Sequence, residues 1–427
     1  MAAPMLETAR AGARRSRRAV AIAVARALVP TALCGLALAA LATPAAAQPY
    51  ARFAVPDSAL VGAVKASGAQ FEAAWNALLI AELRASLARA DSAARLMSLA
   101  RRVAGAEPQA LGSRIAAAAL RLRTRWTPEH RRLRVSAAVA ESLGAAALSG
   151  RDFPRADSLF GAALRTYERL GERRRVAWVW GSLGNGAFTR GDMIAADSLY
   201  RQALAARRAI GDLRLVGNAL NTLGSVAYYL HRNDDAWRFY QEARVVREQT
   251  GELAALGTTL NNLGLVAAAM GRADSAEVFY HAALDLTVAG GDSARVREVL
   301  INYALLLQNG ADPAAALPRF ERSLAIGRQL GDLGGQAQVL NNMGNLLRQQ
   351  GHFAEALTRL KEAHDLALAA RDVSRLRVAL VILGRVGVDL GDPAAARPPL
   401  ERALALADSL VDHRGRAEAL NNLSIAA

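Results

Sequence analysis

Cysteine is nearly absent from this chain of 427 residues, with Cys34 the only one. A single thiol rules out an internal disulfide framework and leaves no cysteine set to hold a metal. Lysine is almost as scarce: Lys65 and Lys361 stand beside 51 arginines, a bias that points to nucleotide composition more than to selected phosphate contacts. Aromatic residues make up only 5%. The histidines His130, His231, His281, His352, His364 and His413 are scattered without a His-Glu-x-x-His or other ligand spacing, and each reads as a surface histidine. Gly184-Asn185-Gly186 lies inside a helical pattern with no strand before it, which excludes a nucleotide loop. No catalytic constellation is visible, so the chain is expected to be no enzyme and to hold no metal and no cofactor. Long hydrophobic runs are missing too. The run from Leu28 to Ala42 has 15 residues, is interrupted by Pro30, and is short for a bilayer span.

What is present begins with that run. Arg14, Arg15, Arg17 and Arg18 precede it and Ala45-Ala46-Ala47 follow it, the order of a secretory signal peptide over residues 1–47 with cleavage before Gln48. An uncleaved anchor is the rival reading. Ser16-Arg17-Arg18 with Val20 also resembles a twin-arginine signal, so the general and twin-arginine routes both stay open. Thr31-Ala32-Leu33 before Cys34 matches a lipobox poorly, and the thiol leaves with the leader. The mature chain is expected to be exported, periplasmic or secreted, and free of the membrane. Losing the leader lowers the formal charge from +15 to +10, of which +8 lies between residues 81 and 136. That stretch has Trp126 as its one aromatic and no DNA- or RNA-binding motif, so it reads as a solvated helix face with no nucleic acid partner.

Hydrophobic residues make up 52%, enough to bury a core, and they recur with a period of 40. Leu143-Gly144, Leu183-Gly184, Leu223-Gly224, Leu263-Gly264, Tyr303-Ala304, Met343-Gly344, Leu383-Gly384 and Leu423-Ser424 mark one register. Ala156, Ala196, Ala236, Ala276, Ala316, Ala356 and Ala396 mark a second, each followed four residues later by Phe160, Tyr200, Tyr240, Tyr280, Phe320, Leu360 or Leu400. Gly171, Gly211, Gly251, Gly291 and Gly331, each before an acid, form a third. Every unit reads as helix A, a short turn, helix B and a Gly-acid turn, because glycine enters the left-handed conformation without steric cost.

These registers resemble the tetratricopeptide repeat, whose signature appears nearly intact in Trp180-x-x-Leu183-Gly184 with Ala196 and Tyr200. Alanine replaces the expected aromatic at Ala187, Ala227 and Ala267, and the Gly-acid turn replaces the closing proline, as in the longer repeats of kinesin light chains and spindle-orientation scaffolds. The resemblance implies an all-α fold, a right-handed α-solenoid of stacked antiparallel helix pairs. Residues 137–416 form seven repeats and 417–427 open an eighth, whose abrupt end points to a truncated reading frame. Residues 48–136 form an arginine-rich helical N-terminal cap or degenerate repeats. In the cap Phe71, Trp75, Leu78, Leu79 and Leu83 trace one apolar stripe continued by Leu87 and Leu96, with breaks at Pro56, Pro108 and Pro128.

The segments LNTLG, LNNLG, LNNMG and LNNLS place one or two amides beside the packed leucines of helix A. The resemblance puts them on or beside a concave groove, and the matching positions are Asn185, Asn221, Ser225, Tyr228, Asn261, Asn262, Asn341, Asn342, Asn345, Arg348 and Arg385. An amide donates and accepts, and so suits an extended backbone of almost any sequence. The other reading is that the amides bridge neighbouring helices and touch no ligand. Asn221, Asn261 and Asn341 stand where a carboxylate clamp would carry its first cation, which argues against a chaperone-tail partner. The expected function is a scaffold binding a peptide or protein segment. The alternative is the sensing arm of a longer protein with a C-terminal effector, such as a CHAT-type peptidase or a signalling kinase.

Overall fold

The computed structural model describes residues 50–426 apart from 68–69, 89–91, 112–114, 124, 311 and 411. The leader and Cys34 lie outside the described residues. The chain divides into two compact units, residues 1–219 and 220–427. Among the described residues every regular element is helical, and none is long and apolar enough to cross a membrane.

The first unit opens with a 3-10 turn over Ala51–Phe53, then α1 (Asp57–Ser67), α2 (Phe71–Leu87), α3 (Ser92–Leu111) and α4 (Ile115–Arg123). The stripe on α2 divides between two cores. Phe71, Trp75 and Leu78 pack with Phe53, Leu60, Val64 and Val103, whereas Leu79 and Leu83 pack with Trp126, Val135 and Leu170. Pro56 and Pro128 stand at helix starts as expected, but α3 runs past Pro108 to Leu111. The one backbone bond that this proline forfeits falls in the last turn, where the helix is about to end. Several arginines of this stretch are spent internally: Arg102 pairs with Asp57 at 2.5 Å, Arg123 with the buried Glu82, and Arg131 donates to Ser86 at 3.1 Å.

Helix pairs follow. The first unit holds α5 (Pro128–Ser149), α6 (Phe153–Leu170), α7 (Arg173–Thr189) and α8 (Met193–Ile210), and the boundary falls inside α9 (Leu213–Tyr229). The second holds α10 (Asn233–Thr250), α11 (Leu253–Ala269), α12 (Ala273–Ala289), α13 (Ser293–Gln308), α14 (Ala316–Gln329), α15 (Leu333–Gln349), α16 (Phe353–Ala369), α17 (Val373–Asp389), α18 (Pro393–Ser409) and α19 (His413–Ile425). From α5 onward odd numbers are A helices and even numbers B helices. Within each unit consecutive helices pack on one another, and successive A helices such as α11, α13, α15 and α17 also touch. The fold is all-α, an α-solenoid of stacked antiparallel pairs.

The A helices start earlier than the apolar registers imply, because the acid of each Gly-acid turn is the N-cap of the next helix. Asp292, Asp332, Asp372 and Asp412 accept the backbone N–H three residues on, at 3.1, 2.8, 2.9 and 2.9 Å. The residue before the acid supplies the left-handed conformation, a glycine in most turns, as at Gly251 with φ 67, and Arg371 before Asp372. The alanine register is buried throughout, as are the aromatic or leucine residues four positions later. Glycine in helix A is a steric requirement. A Cβ on Gly264 would stand 2.7 Å from the Tyr280 ring, and one on Gly344 would stand 2.5 Å from Leu360.

A buried polar network joins the cap to the first repeat. Arg134, 1% exposed, reaches Glu172 and Asn76, and lies 4.9 Å over the Tyr167 ring. The Tyr167 hydroxyl donates to Glu141 at 2.7 Å, and Arg175 holds the same carboxylate. Burial pushes the Tyr167 phenol up and pushes the Glu172 carboxyl up against the pull of Arg134.

Candidate functional site

The face shared by the A helices of the second unit is built from amides spaced 41 residues apart. Asn262 Nδ2 donates to Asn221 Oδ1 at 3.3 Å, and Asn302 Nδ2 donates to Asn261 Oδ1 at 3.1 Å. Each bond joins one A helix to the next. The first amide of the pair faces the neighbouring helix and the second stays half-buried at the surface, since the two point about 100° apart around the helix. Asn261 and Asn341 are each only 3% exposed, so the packing of adjacent A helices covers the flank where both were expected to meet a ligand. Asn221 Oδ1 also accepts from Arg247 Nη1 at 3.3 Å, and Asn341 Nδ2 donates to the Arg375 carbonyl at 3.1 Å.

The pattern breaks at Ile301, which occupies the place of the first amide and leaves Asn342 without one to bond. Asn342 and Arg385 are half-buried and make no hydrogen bond or ion pair among the described residues. Asn345 accepts from Arg348 at 3.3 Å, and Arg348 pairs with Asp389 on the next A helix. Between α13 and α15 lies an open cleft of about 610 Å³ lined by Arg295, Glu298, Ile301, Asn302 and Gln338. Gln338 accepts from Arg375 at 3.1 Å. Asn302, Gln338 and Arg375 are members of this face that the sequence reading left out. Asn302 had a signal, since it lies 40 residues after Asn262, but the Tyr303-Ala304 interruption beside it hid the register.

Other expected residues are engaged with helix B. Asn185, in the first unit, is exposed and accepts from the Tyr200 hydroxyl at 2.6 Å. Ser225 meets the Tyr240 hydroxyl at 3.0 Å, and Tyr228 packs against the core around Leu263 and Tyr280. Burial pushes the Tyr200 and Tyr240 phenols up to about 12, so both remain protonated at neutral pH. Among the described residues no three His, Cys, Asp or Glu side chains gather as a metal set. The face can offer neutral donors and acceptors and a few guanidinium groups, which recognise a backbone or a carboxylate.

A family model of the tetratricopeptide repeat matches residues 215–287, 255–329 and 295–369. A comparison with curated proteins returns no match. Among solved structures, the apo form of RapI is 12% identical, with 67% of this chain and 98% of that chain covered and a TM-score of 0.52, a likeness of fold. BtubC (BKLC) from P. vanneervenii is 25% identical over 52% of this chain and 92% of its own, with a TM-score of 0.46. A tetratricopeptide repeat protein from Parabacteroides merdae is 14% identical over 68% of this chain and 98% of its own, with a TM-score of 0.47. The matched windows, residues 215–369, fall on helical hairpins that pack pairwise, so this part of the chain is built of tetratricopeptide repeats.

Proposed function

We propose that the protein is exported and binds an extended peptide or protein segment along the A-helix face of its repeats, with no catalysis of its own. One observation carries the reading: Asn342 and Arg385 stay half-exposed and unbonded among the described residues, on a face where neighbouring amides are already paired. An amide and a guanidinium without partners are recognition groups for a backbone and a carboxylate. Asn262, Asn345 and Arg348 flank them and extend the contact. Asn261 and Asn341 support the site from beneath by fixing adjacent A helices. Export rests on the basic, apolar and small-residue order of residues 1–47.

Selection of a random displayed peptide library on the full chain tests the binding. Peptides enriched on the native protein are expected to lose about tenfold or more in affinity to a variant with Asn342→Ala and Arg385→Ala. No enrichment, or enriched peptides indifferent to both substitutions, would contradict the reading. Sequencing the N-terminus of the protein recovered outside the cytoplasm should give Gln48; recovery only inside the cell would remove the export claim.

A further inference from the structure

The hairpin α13–α14 departs from its neighbours. Tyr303-Ala304 stand where the others have Leu-Gly or Met-Gly, and Pro313 and Pro318 enter its second half. Ala304 carries the Cβ that the glycine hairpins leave out. Helix α14 starts late, behind a 3-10 turn over Pro313–Ala315, and has 14 residues against 17 in α12 and α16. A cleft of about 640 Å³ lies between the B helices α12 and α14, on the side away from the A-helix face.

Leu300 and Tyr303 of α13 form its buried floor, and Leu284, Val288 and Pro318 give it apolar walls. Val288 is 50% exposed there. The Tyr303 hydroxyl is fully engaged. It bonds Glu277, meets His281 Nε2 at 3.0 Å and accepts from Arg319 Nη2 at 3.4 Å, while the Arg319 guanidinium lies 4.3 Å over the ring. Two other charges are not engaged. Asp285 lines the α12 wall and Arg322 the α14 wall, and neither makes an ion pair or hydrogen bond among the described residues.

We infer that this cleft binds a zwitterion with an apolar side chain, its carboxylate on Arg322, its ammonium on Asp285 and its side chain over Leu300 and Tyr303. Asp285 and Arg322 stand on opposite helices of the cleft and form no ion pair with each other, so a ligand carrying both signs can meet both at once. A ligand of one sign would leave the other wall charge partly desolvated and alone, and a wholly apolar one would cover both. A free amino acid and a short peptide share this chemistry. The site uses none of the A-helix residues proposed above and stands or falls apart from them.

Titration calorimetry on the full chain tests it with L-phenylalanine, the dipeptide Leu-Leu, 3-phenylpropionate and phenethylamine. At least one of the two zwitterions should bind saturably, and the arm that binds identifies free amino acid or peptide. The two singly charged analogues should bind about tenfold or more weaker, as should the better zwitterion to Arg322→Gln or to Asp285→Asn. Both residues are exposed, so these variants should melt as the parent does. The double exchange Asp285→Arg with Arg322→Asp should recover part of the affinity. Failure of both zwitterions to bind, equal binding of the analogues, or indifference to both single substitutions would overturn the inference.

Discussion

His231 holds φ 57 at the turn between α9 and α10, where a side chain crowds the backbone. Arg151 and Arg371 do the same at φ 60 and 53, in positions that glycine fills in the other repeats. His231→Gly should therefore stabilise the protein by about 0.5–1 kcal/mol, the strain relieved less the extra entropy of an unfolded glycine. Equilibrium urea unfolding reads this directly, and a loss of stability would show that the His231 side chain holds the turn. The reverse substitution is expected at Gly264. Gly264→Ala drives a methyl into the Tyr280 ring and should cost about 1–3 kcal/mol, whereas a neutral result would mean that helix B moves freely. The amides were legible in the sequence as a repeated pair, but which of the two is buried was not. That depends on how closely the next A helix approaches, and a single helix wheel contains no neighbour.

At the scale of the element, one acid serves two roles. Asp332 caps α15 through the Gly335 N–H at 2.8 Å and pairs with Arg297 of α13 at 2.8 Å. Asp332→Asn keeps a capping side chain and removes the charge, so it should cost less than Asp332→Ala, for which the lost cap alone is worth about 1 kcal/mol. Equal losses in thermal unfolding would show that the ion pair, not the cap, holds this turn. Asp372 has a related arrangement with a pH consequence. Partial desolvation raises its carboxyl, but bonds from the Arg375 backbone and guanidinium outweigh it, and the net shift is downward. A carboxylate depressed in the folded state contributes stability that is present above the ordinary value near ~3.9 and lost as pH falls through and below it. The stability of Asp372→Asn should consequently fall less steeply than that of the parent between about pH 4 and 3. Helix existence and turn positions were legible at this scale because glycine and acid recur every 40 residues. Helix starts were not, since the acid was read as a stop and is also a cap. The hairpin turns were only half visible because Arg151 and His231 occupy left-handed positions that glycine usually marks.

Across the whole molecule the contacts are mainly between neighbours in sequence, so each unit gains stability pair by pair. The cap is bound to this scheme by charge as well as by apolar packing. Removing Arg134 as Arg134→Met would leave the largely buried Glu172 with only the weaker pull of Arg175, a loss of about 2–4 kcal/mol that should appear as early unfolding of the first unit. Intact unfolding behaviour would mean that Leu79, Leu83 and Trp126 hold the junction unaided. The repeat and the fold class were legible because nearest-neighbour architecture repeats its sequence. The α12–α14 cleft was not, since it arises where one hairpin departs from that rule. The direct test of the proposed function is hydrogen–deuterium exchange of the full chain with and without a peptide selected on it. Added protection on α13, α15 and α17, centred on Asn342 and Arg385, is the predicted result. Protection confined to the B helices, or none at all while the peptide is bound, would contradict the A-helix face as the binding surface.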